Sequence, residues 1–359
     1  RWRAARRRGP GPGMFAARAL RDLGYEYAAG ASGGRSDWVL RRAGDAQRGF
    51  EWRGQQDYDA VGEAAVAYVQ ARLSALCGLV PLPLPPARAD AHSVVYASPG
   101  LEGHRGPLLL LVCGAPPGGA AGVWGRSLCI NASLLEGSMF DYVFRAQERG
   151  WAVLVANPNV SDVNGVPVAG SECPHLHLQT LWEAYVGPSA AACVLVVAHS
   201  YGGPAVVNLL KSSSEACGRV RAIAFTDGMA FEPGSMLQEV VPAAEEPTQA
   251  DGPAAERLRA QLQGFAELAP AAFAPASSAV RAHLAKVGRN FVASQLPLGR
   301  RAAEDREGMP AISAGHESHP STTHAATEEV FAFLQRAADC TTGAVNDEFP
   351  APAAAAAAA

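Results

Sequence analysis

Residues 193–209 read Cys193-Val194-Leu195-Val196-Val197-Ala198-His199-Ser200-Tyr201-Gly202-Gly203-Pro204-Ala205-Val206-Val207-Asn208-Leu209. An apolar, β-branched run of strand length leads into a turn of small residues. The chain then resumes with helical character, with Pro204 in the first turn, where a missing N–H leaves no helical bond unmade. Strand, tight turn with a serine at its apex, then helix: that order presents the Ser200 hydroxyl at the carboxyl end of a buried strand.

A serine thrust from so sharp a turn needs small neighbours two residues to either side, and Ala198 and Gly202 meet that need. This is the nucleophile elbow of the α/β-hydrolases, with alanine where glycine usually stands first. The alternative for the same residues is an ordinary strand-to-helix turn whose serine only caps the helix.

The flanks carry a strand–helix alternation. Ser93–Tyr96, Leu108–Val112, Trp151–Ala156, Val220–Phe225 and Pro310–Gly315 read as further strands. Leu108–Val112 is apolar at every position, as a central parallel strand must be when both its faces are covered. Helices are expected over Asp57–Leu76, Asp141–Glu148, His177–Tyr185 and Thr327–Ala338. The fold class is therefore α/β, hydrolase-like, with a mostly parallel central sheet and helices on both faces. Residues 1–50, rich in Gly, Arg and Ala, read as an irregular extension, and 51–338 as a single domain. Within it, 232–280 is a lid-like or disordered insertion, Leu79–Ala87 with its four prolines is a stiff connector, and 339–359 is a disordered tail.

A serine nucleophile needs a base to take its proton and a carboxylate to orient that base. In this fold they follow in the order Ser, Asp or Glu, His. Asp227 comes directly after the strand 220–225, with Asp305 in reserve, and His316, His319 and His324 all follow the last strand. Asp227 also reads as a simple turn residue. His199 should point away from Ser200 and pack. The oxyanion hole would comprise the Tyr201 N–H and a peptide of the loop 114–119, beginning at Gly114 and Ala115; the plainer reading is that these glycines only let the chain turn. No Gly-Lys-Ser/Thr follows the loop, so it is not a phosphate loop.

With 359 residues, 48% hydrophobic and a formal charge of −4, the chain has room for a large core and lacks the basic footprint of nucleic-acid wrapping. Seven cysteines without a Cys-x-x-Cys pair read as buried thiols of a reducing compartment, not as a disulfide framework or zinc site. The histidine pairs 316/319 and 175/177 lack a third ligand, so no metal or other cofactor is expected. No apolar run approaches the ~20 residues of a membrane span, and no secretory h-region opens the chain. A soluble protein that is not secreted is expected. The chain starts at Arg1, which makes Met14 a candidate start, and Arg6-Arg7-Arg8 is a short basic run compatible with nuclear import.

Several segments then point to one family. They are Trp124–Asn131 (WGRSLCIN), Leu134–Ser138 (LLEGS), Gly150–Asn159 (GWAVLVANPN), the elbow Val197–Gly203, Ala224-Phe225-Thr226-Asp227, Arg289–Ser294 (RNFVAS), and Ile312–Gly315 with His319 four residues past the glycine. With Phe50-Glu51-Trp52 and Tyr58–Glu63 (YDAVGE), they resemble the argonaute-binding-protein-two domain family, and within it the vertebrate cotranscriptional regulator branch. The likeness runs from about residue 20 to residue 338. It departs from that branch in lacking a long charged insertion before the elbow, in the two prolines of the loop 114–119, and in a tail without an acidic retrieval-like tetrapeptide.

The resemblance implies an α/β-hydrolase scaffold with a Ser200–Asp227–His319 triad. It implies work in the nucleus and cytoplasm around RNA silencing, heterochromatin and alternative splicing, with argonaute, chromatin and splicing proteins as partners; the charge balance adds the expectation of no direct nucleic-acid binding. The alternative function is an active serine hydrolase acting on a small acyl substrate: an ester, thioester or amide.

Overall fold

A computed structural model of the chain describes residues 12–31, 33–35, 37–86, 89–115, 118–228, 253–302 and 309–340. Twelve strands occur among them: β1 (Tyr25–Ala29), β2 (Trp38–Arg42), β3 (Val80–Leu84), β4 (Ser93–Ala97), β5 (Leu108–Val112), β6 (Ala152–Val155), β7 (Asp162–Val163), β8 (Val166–Pro167), β9 (Val194–His199), β10 (Val220–Thr226), β11 (Gly288–Val292) and β12 (Ala311–Ser313).

Eight of them form the central sheet in the order β12-β11-β10-β9-β5-β6-β4-β3. The six from β12 to β6 run parallel, while β4 lies antiparallel to β6 and β3 antiparallel to β4. An antiparallel pair on one flank and a β5/β6 crossover beside the nucleophile strand β9 make this an α/β-hydrolase sheet.

Two-residue periodicity explains why the central strands are apolar throughout. Leu109, Leu111, Val153, Val155, Leu195 and Val197 face one core, which takes in Val61, Val69 and Leu73 of the helix Gln55–Ala75 and Val330, Phe331 and Leu334 of the helix Thr327–Asp339. Leu108, Leu110, Val112, Leu154, Val194, Val196 and Ala198 face the other, with Leu178 and Leu181 of the helix Pro174–Leu181 and Val206, Leu209 and Leu210 of the helix Gly202–Ser212. Helices thus cover both faces.

Two expectations are corrected. Residues 12–42 are not irregular: Pro12–Asp22 is a helix, and β1 and β2 form an antiparallel hairpin. The Tyr-x-Tyr alternation turns Tyr25 and Tyr27 inward together, and the Tyr27 hydroxyl donates to Cys129 O at 2.9 Å. Leu79–Ala87 is no mere connector, because it contains β3. Pro81 and Pro83 stand two apart on this outermost strand, so both missing N–H groups fall on the same side, the outer edge where no ladder bond is required. In the insertion, Pro253–Leu268 is a helix followed by a 3₁₀ turn, Pro270–Phe273, and Leu262 is fully buried. Residues 232–252, Asp305, Arg6–Arg8 and 341–359 lie outside the described residues.

Candidate active site

Every functional side chain here is placed by a strand's carboxyl end. β9 stops at His199, and Ser200 takes φ 52°, a left-handed conformation that side chains rarely adopt. The Ser200 N–H donates to Thr226 O (3.2 Å), and the Ser200 carbonyl accepts from the Gly203 N–H (3.0 Å). Smallness at position 202 is compulsory: a Cβ there would lie 2.8 Å from Cys113 O and 2.9 Å from Val112 O. Gly114 meets the elbow in the same way, since a Cβ on it would stand 2.9 Å from Ser200 Cβ.

β10 ends at Thr226, and the next residue, Asp227, also has a left-handed φ of 49°. Its own N–H donates to Phe291 O (2.7 Å), and its Oδ1 accepts from the Ala293 N–H (3.3 Å). Its Oδ2 lies 2.5 Å from His319 Nδ1. Partial burial opposes ionisation of this carboxyl, but the His319 hydrogen bond and charge, aided by the Ala293 N–H, outweigh it and hold Asp227 below the ordinary carboxylate range.

Of the three candidate histidines, His319 is the one brought to Asp227. His316 Nδ1 accepts from the Ser318 N–H (2.9 Å), while His324 turns a buried Nδ1 that has no partner among the described residues. His319 remains 45% exposed at its side chain, open enough to meet a substrate. Among the described residues no hydrogen bond joins Ser200 Oγ to His319.

His199 packs away from the nucleophile, as its place in the strand suggests. Its Nδ1–H donates to Thr226 O (2.9 Å), and its ring lies 4.9 Å from that of His319. Burial, then the neighbouring His319 charge, lower its pKa to about 4, so this imidazole is neutral.

On the oxyanion side, the Tyr201 N–H finds no acceptor among the described residues, and the Tyr201 hydroxyl sits 3.0 Å from His175 Nε2. Phe265 of the insertion helix packs 5.5 Å from the Tyr201 ring, and Phe273 lies 5.7 Å from His175, so the insertion rests on the residue after the nucleophile. Among the described residues no group of three His, Cys, Asp or Glu side chains could hold a metal ion. No described helix is long and apolar enough to cross a membrane.

Asn157 and Asn159, which the sequence offers only as the end of the family-like segment Gly150–Asn159 and with no role, hold the neighbouring loops in place. Asn159 Nδ2 donates to Gly114 O (2.7 Å) and to Gly119 O (2.8 Å). Asn157 donates its N–H to His177 Nε2 (3.1 Å), and its Oδ1 accepts from the Ala121 N–H (3.2 Å). The only available signal was two carboxamides closing a buried parallel strand.

Residues 51–164 match the model of the Arb2 domain. A Caenorhabditis elegans protein described as a FAM172 family protein homolog is 34% identical over 57% of this chain and 66% of its own length. The Gallus gallus cotranscriptional regulator ARB2A homolog is 24% identical over 83% of this chain and 74% of its own. The Mus musculus cotranscriptional regulator ARB2A is 25% identical, and the chain spans 55% of its length. Among solved structures, a histone deacetylase from Saccharomyces cerevisiae superposes with a TM-score of 0.46 at 11% identity, covering 77% of this chain and 97% of that one.

Proposed function

We propose that this chain, which carries an Arb2 domain and is related to the cotranscriptional regulators named ARB2A, holds a serine acyl-transfer centre on a regulator's scaffold. The observation that carries the reading is the 2.5 Å contact between Asp227 Oδ2 and His319 Nδ1, made by two strand-end loops beside the strained elbow of Ser200.

In this reading Asp227 keeps the proton on Nδ1, leaving Nε2 as the basic nitrogen. Ser200 Oγ attacks an acyl carbonyl, its proton passes to Nε2, and the carbonyl electron pair moves onto oxygen. That oxyanion accepts from the Tyr201 N–H and from the loop beginning at Gly114. Collapse expels the alcohol, thiol or amine, which leaves with the proton from Nε2. Water, deprotonated by the same nitrogen, then releases the acid and restores Ser200. The substrate class is an ester, thioester or amide. The regulator role extends by resemblance to argonaute, chromatin and splicing proteins as partners, and to a place in the nucleus.

The test is labelling with a fluorophosphonate, comparing the wild type with Ser200→Ala and His319→Ala. Labelling lost in both variants supports the centre. A folded wild type that takes no label overturns it.

A second reading, a scaffold that binds partners without chemistry, is favoured by one observation: among the described residues Ser200 Oγ has no hydrogen bond to His319. Fold alone does not decide between the two.

A further inference from the structure

Gly114 and Gly119, the two ends of the loop, are drawn together and held from one side. A Cβ on Gly119 would lie 2.2 Å from Gly114 O, so the two ends of the loop touch. Both of their carbonyls converge on one group, Asn159 Nδ2, at 2.7 and 2.8 Å. The opposite assignment of the carboxamide would set its oxygen against two carbonyl oxygens, so the donor assignment follows from the surroundings. Asn159 Oδ1 is buried with no partner among the described residues, which puts the value of this side chain in its two donated bonds.

The turn that carries Asn159 is itself bracketed. His177 Nε2 accepts the Asn157 N–H, which leaves the proton on Nδ1, and that proton is donated to Ser171 Oγ (2.7 Å). Ser171 Oγ donates in turn to Val160 O (2.9 Å), one residue beyond Asn159.

We propose that Asn159 is the positioning residue of the oxyanion loop. A trans peptide is planar, with C=O and N–H pointing opposite ways. By holding the Gly114 carbonyl, Asn159 therefore fixes the direction of the Ala115 N–H, the other end of the same peptide, beside a serine that Gly114 already touches. Asn159 itself never meets the substrate. It keeps one donor aimed before the oxyanion forms, which is where such donors gain their advantage over water. The inference rests on the acyl-transfer reading above and names the second oxyanion donor as Ala115 N–H.

The experiment compares fluorophosphonate labelling rates of the wild type, Asn159→Ala and Asn159→Asp, alongside their melting curves. Asn159→Asp keeps the shape and removes the donor. A positioning role predicts labelling about 10²–10³-fold slower in both variants, the magnitude typical of losing one oxyanion donor. A space-filling role predicts that Asn159→Asp labels within about threefold of the wild type, and that result overturns the proposal. Should the variants not melt cooperatively, the wild type decides by itself. On phosphonylation of Ser200 the Ala115 amide proton shifts downfield if it donates to the adduct oxygen, and an unmoved Ala115 signal overturns the proposal. An unlabelled wild type is a different failure, since it removes the acyl-transfer reading on which the inference stands.

Discussion

Asp227 and His319 lie 92 residues apart in the chain, yet Asp227 Oδ2 stands 2.5 Å from His319 Nδ1, while Oδ1 of the same carboxylate accepts the Ala293 N–H. One oxygen orients the base and the other ties the loop to the end of β11. Asn in place of Asp keeps an oxygen for Ala293 but turns an amide N–H toward the imidazole, which forces the wrong tautomer. Asp227→Asn should therefore slow fluorophosphonate labelling about 10³–10⁴-fold while leaving the melting temperature within a few degrees. Labelling at the wild-type rate would mean that Asp227 is only a turn residue.

Ser200 holds φ 52° at the apex of the elbow, and a side chain in that region costs about 1–2 kcal/mol. Ser200→Gly and Ser200→Ala both remove the hydroxyl, but only glycine relieves the backbone, against an unfolded-state penalty of about 0.4–1 kcal/mol. Ser200→Gly should be the more stable of the two by about 0.5–1 kcal/mol, read from urea midpoints, and both should take no label. Gly202→Ala tests the same turn from its other side. Its Cβ would meet Cys113 O at 2.8 Å and Val112 O at 2.9 Å, so it should cost about 1–3 kcal/mol.

Three buried imidazoles make the fold sensitive to acid. Burial lowers His177 to about 3, burial and then Lys211 lower His175 to about 4, and burial and then His319 lower His199 to about 4. Below their ordinary value of 6.5 the unfolded chain takes up protons that the folded chain refuses, so stability falls with falling pH down to the folded values. Each histidine contributes a slope approaching about 1.4 kcal/mol per pH unit, or about 1.6 kcal/mol between pH 6.5 and 5. Asp227, held below its ordinary 3.8, acts in a lower window: its contribution is complete above that value and is lost as pH falls through its folded pKa. Urea midpoints should drop steeply from pH 7 to pH 5, and His177→Asn should flatten the slope. A midpoint unchanged over that range would show that these rings are not held neutral.

Much of this architecture can be read from the chain because the central strands are buried on both faces. Leu108–Val112 and Val194–Val197 have no polar side to confuse them with amphipathic helices, and Ser200 and Asp227 could be named as candidates because each follows a strand, whereas strand order left His316, His319 and His324 open and only the family resemblance singled out His319. The hairpin β1–β2 and the edge strand β3 were hidden for the opposite reason. The hairpin is short and set in Gly- and Arg-rich sequence, and the prolines of β3 are tolerated only because one edge of that strand is unpaired, a fact of topology. Asn159 was illegible for a third reason: its partners are main-chain carbonyls 40 and 45 residues away, and carbonyls leave no mark in a sequence.

The insertion that rests on the elbow has a separable anchor. Lys211, in the last turn of the elbow helix, donates from Nζ to Ala271 O (2.8 Å) and Ala272 O (3.0 Å), and it also reaches Ala274 O. Those carbonyls close the 3₁₀ turn that follows the helix Pro253–Leu268, whose Phe265 packs on Tyr201. Lys211→Met keeps the aliphatic stem and deletes the ammonium, so the elbow helix is spared while the insertion loses its tether. Hydrogen exchange across 259–287 should quicken about tenfold, equivalent to about 1.4 kcal/mol of local opening, with the global unfolding midpoint little changed. If the insertion governs access to Ser200, fluorophosphonate labelling should quicken in the same variant. Unchanged exchange would show that the aromatic packing of Phe265 and Phe273 holds the insertion without the lysine. Faster exchange with unchanged labelling would place the insertion clear of the substrate's path.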